Sequence, residues 1–240
     1  MGRTSLARQR LIDAAIDLLW HYGYGSVSVD ALCARAKVKK GSFYYFFPSK
    51  DDLVVAALDT HWARRRPAFE AIFSRPAPAL VRLGDYFDYA VQRQRQLRRH
   101  AGRVLGCFHA SIGTECIRQN PAIAAKAQEI LTAYRGYLEG VLADAVVEGP
   151  LAGRDPGPLA QSLFSLVEGA LGQARIHDDL KPVEALKASA WQILGLAPLP
   201  RSPASSSRAR RALGQEIPTA KGERRRPAPK PALATAACQD

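Results

Sequence analysis

Between residues 39 and 47 the chain reads KKGSFYYFF, which sets two lysines, a hydroxyl and two phenols around one glycine. Lys39, Lys40, Ser42, Tyr44 and Tyr45 are donors suited to phosphate oxygens and base edges, and Gly41 lets a backbone approach a phosphate closely. Such a set recognises a polyanion and makes or breaks no bond. Ser28 upstream and Lys50 just past Pro48 flank the segment, placed to hold a nucleic-acid backbone from either side. Phe43 with Phe46 or Phe47 would anchor the segment to a core. Two lysines alone equally describe the solvated face of an ordinary helical bundle, so the reading depends on the elements that carry them.

A second group of reactive side chains lies in the middle of the chain. Cys107 follows Arg103 by four residues and His100 by seven. On a helix spanning 102–116, a cation on the same face and a nearby helix start would both favour a thiolate. The alternative reading of Cys107 is a small buried apolar residue. Cys107 and Cys116 fall half a turn out of phase on one straight helix, which excludes a bridge between them. Tyr86, Phe87, Tyr89, Arg103, Cys107, Phe108, Tyr134, Tyr137, Phe164, Val167 and His177 are candidates to line an apolar pocket with a few polar groups, each with ordinary core packing as its competing role.

Catalysis finds little support. The histidines at 21, 61, 100, 109 and 177 are scattered, and neither GxSxG, HExxH nor a glycine-rich phosphate loop occurs. The four cysteines form no CxxC pair and no zinc-like spacing with histidine, so neither metal nor cofactor is expected and the thiols read as reduced. An all-helical enzyme with an incidentally basic end stays open as a minor alternative.

The elements that position these residues are helices throughout. At 240 residues, 47% hydrophobic and 23% charged, the chain has the composition of a folded protein with a sizeable core. Lys plus Arg number 34 against 22 acidic residues, a formal +12, with the excess in the N-terminal part and the tail and a nearly neutral middle. That distribution favours a polyanion-binding module joined to a part with another task. No apolar run is long enough to cross a membrane, Asp13 and Asp17 interrupt what would be a signal-peptide core, and Leu6 spoils an N-myristoylation match, so a cytoplasmic protein is expected.

Leu11, Ala14, Ala15, Leu18, Leu19 and Tyr22 follow the template for one apolar helix face, and Gly23 suits its end. Ser28 precedes a short helix in which Val29, Leu32 and Cys33 face inward, and a third short helix over KKGSFYYFF stops at Pro48. Ser49, with Asp51 and Asp52 behind it, predicts a helix from about 50 to 66 that ends at Pro67. Further helices are predicted near 79–97, 102–116, 121–148, 158–178 and 182–196, with Asn120-Pro121 and Pro182 as starts. Leu163, Leu166, Val167, Ala170, Leu171 and Ala174 repeat the helical template. Past residue 197 the composition turns to Pro, Ala, Ser and Arg, which reads as a disordered basic tail over 198–240. Its charge either adds salt-sensitive, sequence-independent DNA affinity or merely solvates a linker.

One longer helix followed by two short ones across a tight turn is the helix-turn-helix arrangement, whose second short helix enters the major groove. At this point RQRLIDAAIDLLWHYGYGSVSVDALCARAKVKKGSFYYFFPSKDDLV resembles the N-terminal domain of TetR-family transcriptional regulators. The matching positions include Ala14, Ala15, Gly23, Ser28, Val29, Leu32, Ala36, Val38, Lys40, Gly41, Ser42, Tyr44, Phe47, Pro48, Lys50 and Leu53. Lys37 stands where glycine is common in the turn, and Lys39 where a small capping residue is common. RVLGCFHASIGTE resembles the Gly-Cys segment of a subgroup that includes repressors responding to electrophiles or acrylate-type compounds.

The resemblance, which covers about residues 5–197, divides this all-α chain ahead of the tail at 198–240 into a helix-turn-helix DNA-binding domain over 1–50 and a ligand-binding and dimerisation domain over 51–197, joined through the helix at 50–66. It implies a homodimer through the helices near 158–178 and 182–196, a near-palindromic double-stranded operator, and release by a small-molecule inducer, most often as a repressor. A constitutive DNA-binding or architectural protein is the other reading left open.

Overall fold

The computed structural model describes residues 2–197, with side chains from Leu6 onward. The tail over 198–240 lies outside the described residues. Among those described, ten α-helices and no strand occur: α1 (Gly2–Tyr22), α2 (Val29–Ala36), α3 (Lys40–Phe46), α4 (Lys50–Phe73), α5 (Ala79–Ala101), α6 (Phe108–Cys116), α7 (Pro121–Val147), α8 (Pro156–His177), α9 (Lys181–Glu184) and α10 (Leu186–Ile193). The all-α expectation holds. Two compact units divide between Ala57 and Leu58, inside α4. No described helix is long and apolar enough to cross a membrane.

In the first unit Leu11, Ala14, Ala15 and Leu19 are buried as the template requires, joined by Ile12 and Trp20, while Leu18 is half-buried and Tyr22 exposed. The buried face of α1 is thus rotated slightly from the predicted one. Gly23, at positive φ, closes the helix with its N–H on the Leu19 carbonyl at 2.9 Å. Ser28 caps α2 by accepting from the Ala31 N–H at 3.1 Å. Ser49 and Asp52 form a reciprocal cap at the start of α4: the Asp52 N–H donates to the Ser49 hydroxyl at 3.2 Å, and the Ser49 N–H to the Asp52 carboxylate at 3.0 Å.

Three predicted boundaries are corrected. First, α4 runs through Pro67 to Phe73. Proline removes one helical hydrogen bond, but Pro67 and Ala63, whose carbonyl loses that donor, both lie on the exposed side. Burial of Phe69, Ile72 and Phe73 holds the helix together beyond it. Second, the helix predicted over 102–116 starts only at Phe108, because Gly102 and Gly106 adopt positive φ of 76° and 67°. Third, the segment predicted as one helix over 182–196 divides at Ala185 into α9 and α10.

The second unit packs α5, α6 and α8 around α7. Arg82, only 8% exposed, ties its first helices together by donating to the carbonyls of Phe73 at 2.6 Å and Ala77 at 2.9 Å and to the Asp144 carboxylate at 2.7 Å. The extended segment between α5 and α6 is fixed as firmly as a helix would be. Gln94 holds Gly106 from both sides, at 3.0 Å to its carbonyl and 3.2 Å from its N–H. Arg175 donates to the Leu105 carbonyl and the Ser111 hydroxyl, and Asp178 accepts from the Val104 N–H at 2.7 Å.

Candidate nucleic-acid interface and ligand site

The turn between α2 and α3 is closed by Lys37 in the left-handed region, with φ 55° and ψ 47°. Its N–H meets the Ala34 carbonyl and the Val38 N–H meets that of Cys33. A glycine is the easier residue there, so the departure noted in the sequence is met by local strain. The α3 helix turns Phe43 into the core, fully buried, and Phe47 rather than Phe46 is the second anchor. Tyr44 and Tyr45 stand on the opposite side, 51% and 75% exposed. Lys39, Lys40 and Gly41 are exposed beside them and Ser42 is half-buried. No atom outside its immediate surroundings comes within 4 Å of a Cβ built on Gly41, so the fold itself makes no steric demand for glycine there.

Three of the sequence-predicted residues already have partners within the unit. Ser28 caps α2. Lys40 pairs with Asp30 at 2.9 Å across the α2–α3 corner, which raises its pKa. Lys50 is half-buried, with its Nζ donating to the Tyr24 carbonyl at 2.6 Å and lying 3.7 Å from the Tyr24 ring centroid. The Tyr24 hydroxyl in turn donates to Asp51 at 2.5 Å. These contacts fasten the loop after α1 to the first turn of α4, on either side of the α2–α3 pair in sequence.

Within the second unit Tyr86, Tyr89, Cys107, Phe108, Tyr134 and Val167 are buried. The tyrosines gather on Phe69, with Tyr134 stacked on it at 5.0 Å and Tyr86 and Tyr89 at 5.7 and 6.1 Å. Half-buried Tyr137 joins the same ring cluster and also lines an open groove of about 380 Å³ with Phe73, Arg82, Gly140 and Asp144. Phe87 packs instead against Trp191, and Phe164 is half-buried. Arg103 and His177 are exposed, the first beyond the end of α5 and the second at the last turn of α8.

Cys107 therefore does not share a helix face with Arg103. It occupies the N-cap position of α6, and burial, followed by the Glu168 carboxyl, drives its thiol far above the ordinary range. The helix-start and cation effects anticipated from the sequence are overridden by desolvation, so the thiol is neutral.

Sequence reasoning missed the polar heart of this unit. Arg65 lies over the rings of Phe69, Tyr89 and Tyr134 at 5.5, 5.8 and 5.9 Å. Burial opposes its charge, but a guanidinium starts so far above neutrality that it stays cationic. Glu168 on α8 shares a hydrogen bond with Cys107, and burial pushes its carboxyl up to about 7. Next to them His109 is buried and its pKa is driven down to about 3 by desolvation. One neutral tautomer satisfies it: Nε2–H donates to the Leu58 carbonyl at 3.2 Å, and Nδ1 accepts from the Tyr134 hydroxyl at 3.0 Å. The signal that would have found Arg65 is the helical spacing His61, Arg65, Phe69, which continues through Pro67.

Among the described residues no group of three or more His, Cys, Asp or Glu side chains is arranged to hold a metal ion.

Comparison with known proteins places both units. The family described as "Bacterial regulatory proteins, tetR family" matches residues 11–57, and the "Tetracyclin repressor-like, C-terminal domain" matches 79–190. The chain is 31% identical over 182 residues to the transcriptional regulator AcuR of Cereibacter sphaeroides, covering 74% of this chain and 80% of that protein. It is 26% identical over 200 residues to the transcriptional repressor NemR of Escherichia coli, covering 78% and 93%. A crystal structure of a TetR regulatory protein from Rhodobacter sphaeroides superposes with a TM-score of 0.71 at 26% identity, over 78% of this chain and 98% of that one. With a helix-turn-helix at one end and the matching helical domain after it, the chain belongs to the TetR family of bacterial transcriptional regulators.

Proposed function

We propose that the protein is a ligand-released transcriptional repressor of the cytoplasm that binds a near-palindromic operator as a homodimer. The observation that carries the DNA-binding part is α3 itself, where Phe43 anchors the helix and Tyr44, Tyr45, Lys39 and Gly41 are presented outward. In this reading Lys39, Ser42, Tyr44 and Tyr45 meet bases and phosphates directly, and Gly41 admits a phosphate to the backbone. Ser28, Lys40 and Lys50 hold the frame around them as well as lying near the DNA backbone.

Dimerisation through α8 and the α9–α10 pair is supported by Ile176 and Ile193, 74% and 40% exposed, and by Gly169 and Gly172, which leave open space along α8. A two-fold pair sets its recognition helices roughly 34–36 Å apart, one turn of DNA. The ligand is assigned to the aromatic interior of the second unit around Arg65, Tyr89, Cys107 and Tyr134. The Gly-Cys segment there resembles that of electrophile- or acrylate-responsive members, and it supplies a neutral buried thiol. The helix α4 contributes residues to both units, so a ligand that favours a different course of α4 weakens operator binding. A coupling of about 1–3 kcal/mol, roughly 5- to 150-fold in affinity, suffices.

Tyr44→Ala tests the docking. Fluorescence anisotropy should show operator affinity reduced at least about tenfold, from the ~1–3 kcal/mol typical of a specific contact, while light scattering still reports a dimer. Unchanged operator affinity contradicts the assignment of α3 as the reading helix.

A further inference from the structure

Arg8, on the second turn of α1, lies over the ring of Phe47 with its Cζ 5.2 Å from the ring centroid. Phe47 is buried and closes α3 with its N–H on the Phe43 carbonyl at 2.9 Å, so Arg8 stands at the end of that helix. Arg8 itself is exposed, and among the described residues its guanidinium makes no ion pair and no hydrogen bond. Contact with the ring restrains a long side chain and leaves N–H donors for an acceptor from outside. The other cations near α3 divide by the same criterion. Arg35 is engaged by Asp17 at 2.8 Å, Lys40 by Asp30 and Lys50 by Tyr24. The side chains of Lys37 and Lys39, at the start of α3, have no such partner among the described residues. From Lys39 to Phe47 the chain rises roughly 12 Å, and the major groove of B-DNA is about 12 Å wide. A helix of that length, inclined across the groove, brings one end towards each of the two strands that border it.

We propose that Arg8 is a further DNA contact, donating to a backbone phosphate beside the end of α3 while Lys39 meets a phosphate of the opposite strand beside its start. The proposal rests on the reading of α3 as the helix in the major groove and adds to it a contact from outside the helix-turn-helix segment. A phosphate carries no base information, so Arg8 supplies affinity and fixes how α3 is inclined in the groove rather than which sequence it reads. Because the same guanidinium lies on Phe47, α1 and the end of α3 are set on the DNA together. Arg10 serves as the comparison. It is exposed on the same helix, but two residues of helical rotation carry it about 200° round from Arg8 and so away from Phe47.

The test is fluorescence anisotropy of the full-length protein across a salt series with three labelled duplexes: one recovered from genomic DNA by selection for binding, the same duplex with one base pair altered, and a random duplex of equal length. In Arg8→Met the slope of log K against log salt should fall by at least about one, and affinity for the first two duplexes should drop by the same factor, so that their ranking is kept. Arg8→Lys should restore the slope, since the charge returns, and Arg10→Met should match the wild type. A wild-type slope in Arg8→Met overturns the contact even if affinity falls, because the loss is then one of packing on Phe47. An equal fall in Arg10→Met also overturns it, by assigning the effect to net charge. Should Arg8→Met fail to fold by circular dichroism, Arg8→Gln is read by the same criteria. A wild type with no preference for the selected duplex overturns the regulator reading instead, and the slopes on the random duplex then decide the Arg8 contact by themselves.

Discussion

Lys50 shows how a residue's chemistry and its position give different accounts. By type and place it is a phosphate contact, yet its Nζ is held between the carbonyl and the ring of Tyr24, with Asp51 on the Tyr24 hydroxyl. A lysine so engaged steadies the frame of the helix-turn-helix and releases few counterions on binding. Lys39, exposed before α3, is the better candidate for a phosphate. Operator affinity measured across a salt series distinguishes the two, because each phosphate contact contributes roughly one unit to the slope of log K against log salt. Lys39→Met is expected to lower the slope by about one, whereas Lys50→Met lowers affinity with the slope unchanged. A drop of about one in Lys50→Met would return that residue to the phosphate contacts.

At the scale of elements, the first unit was legible because its signals are local. The period of α1, the Ser28 and Ser49 caps and the proline after α3 each act within a few residues, and together they fix the helix-turn-helix. The break between α5 and α6 is encoded as well, by Gly102 and Gly106, but the sequence reading places it at 98–101 and starts the next helix at 102, through Gly106. What decides it is tertiary: a Cβ on Gly106 would stand 2.9 Å from the Leu171 carbonyl, and Gln94, Arg175 and Asp178 hold the extended segment from other helices. Gly102 has the same left-handed backbone but open space around it. Gly102→Ala should therefore cost roughly 1–2 kcal/mol, the strain of a positive φ alone. Gly106→Ala should cost at least about 1 kcal/mol more, since the close carbonyl adds to the same strain. Equal midpoints for the two variants in urea would mean that the segment moves aside freely. The Arg65 and Glu168 pair was not legible for a different reason: the two lie far apart in sequence, each reads as one charge on an otherwise mixed helix, and Pro67 hid the continuation of α4 that brings Phe69 beneath the guanidinium.

For the whole molecule, the charge pattern separates two tasks. The basic N-terminal part carries the helix-turn-helix, and the nearly neutral middle forms a domain whose interior around Phe69 sets tyrosines beside the Arg65 cation, a titrating acid and a neutral thiol. An interior of that kind is wasteful for stability alone, because an apolar core of similar volume has no buried charge to desolvate. Its retention is accounted for if ligand binding there is coupled to DNA binding through α4. The most direct test of a sequence-specific regulator is in vitro selection of bound fragments from sheared DNA of the source genome, followed by anisotropy titration of the selected fragments and random DNA at two salt concentrations. The account predicts one near-palindromic site, bound far more tightly than random DNA at both salts. Binding without sequence preference that collapses at the higher salt would contradict it and leave a protein held to DNA by its charge alone.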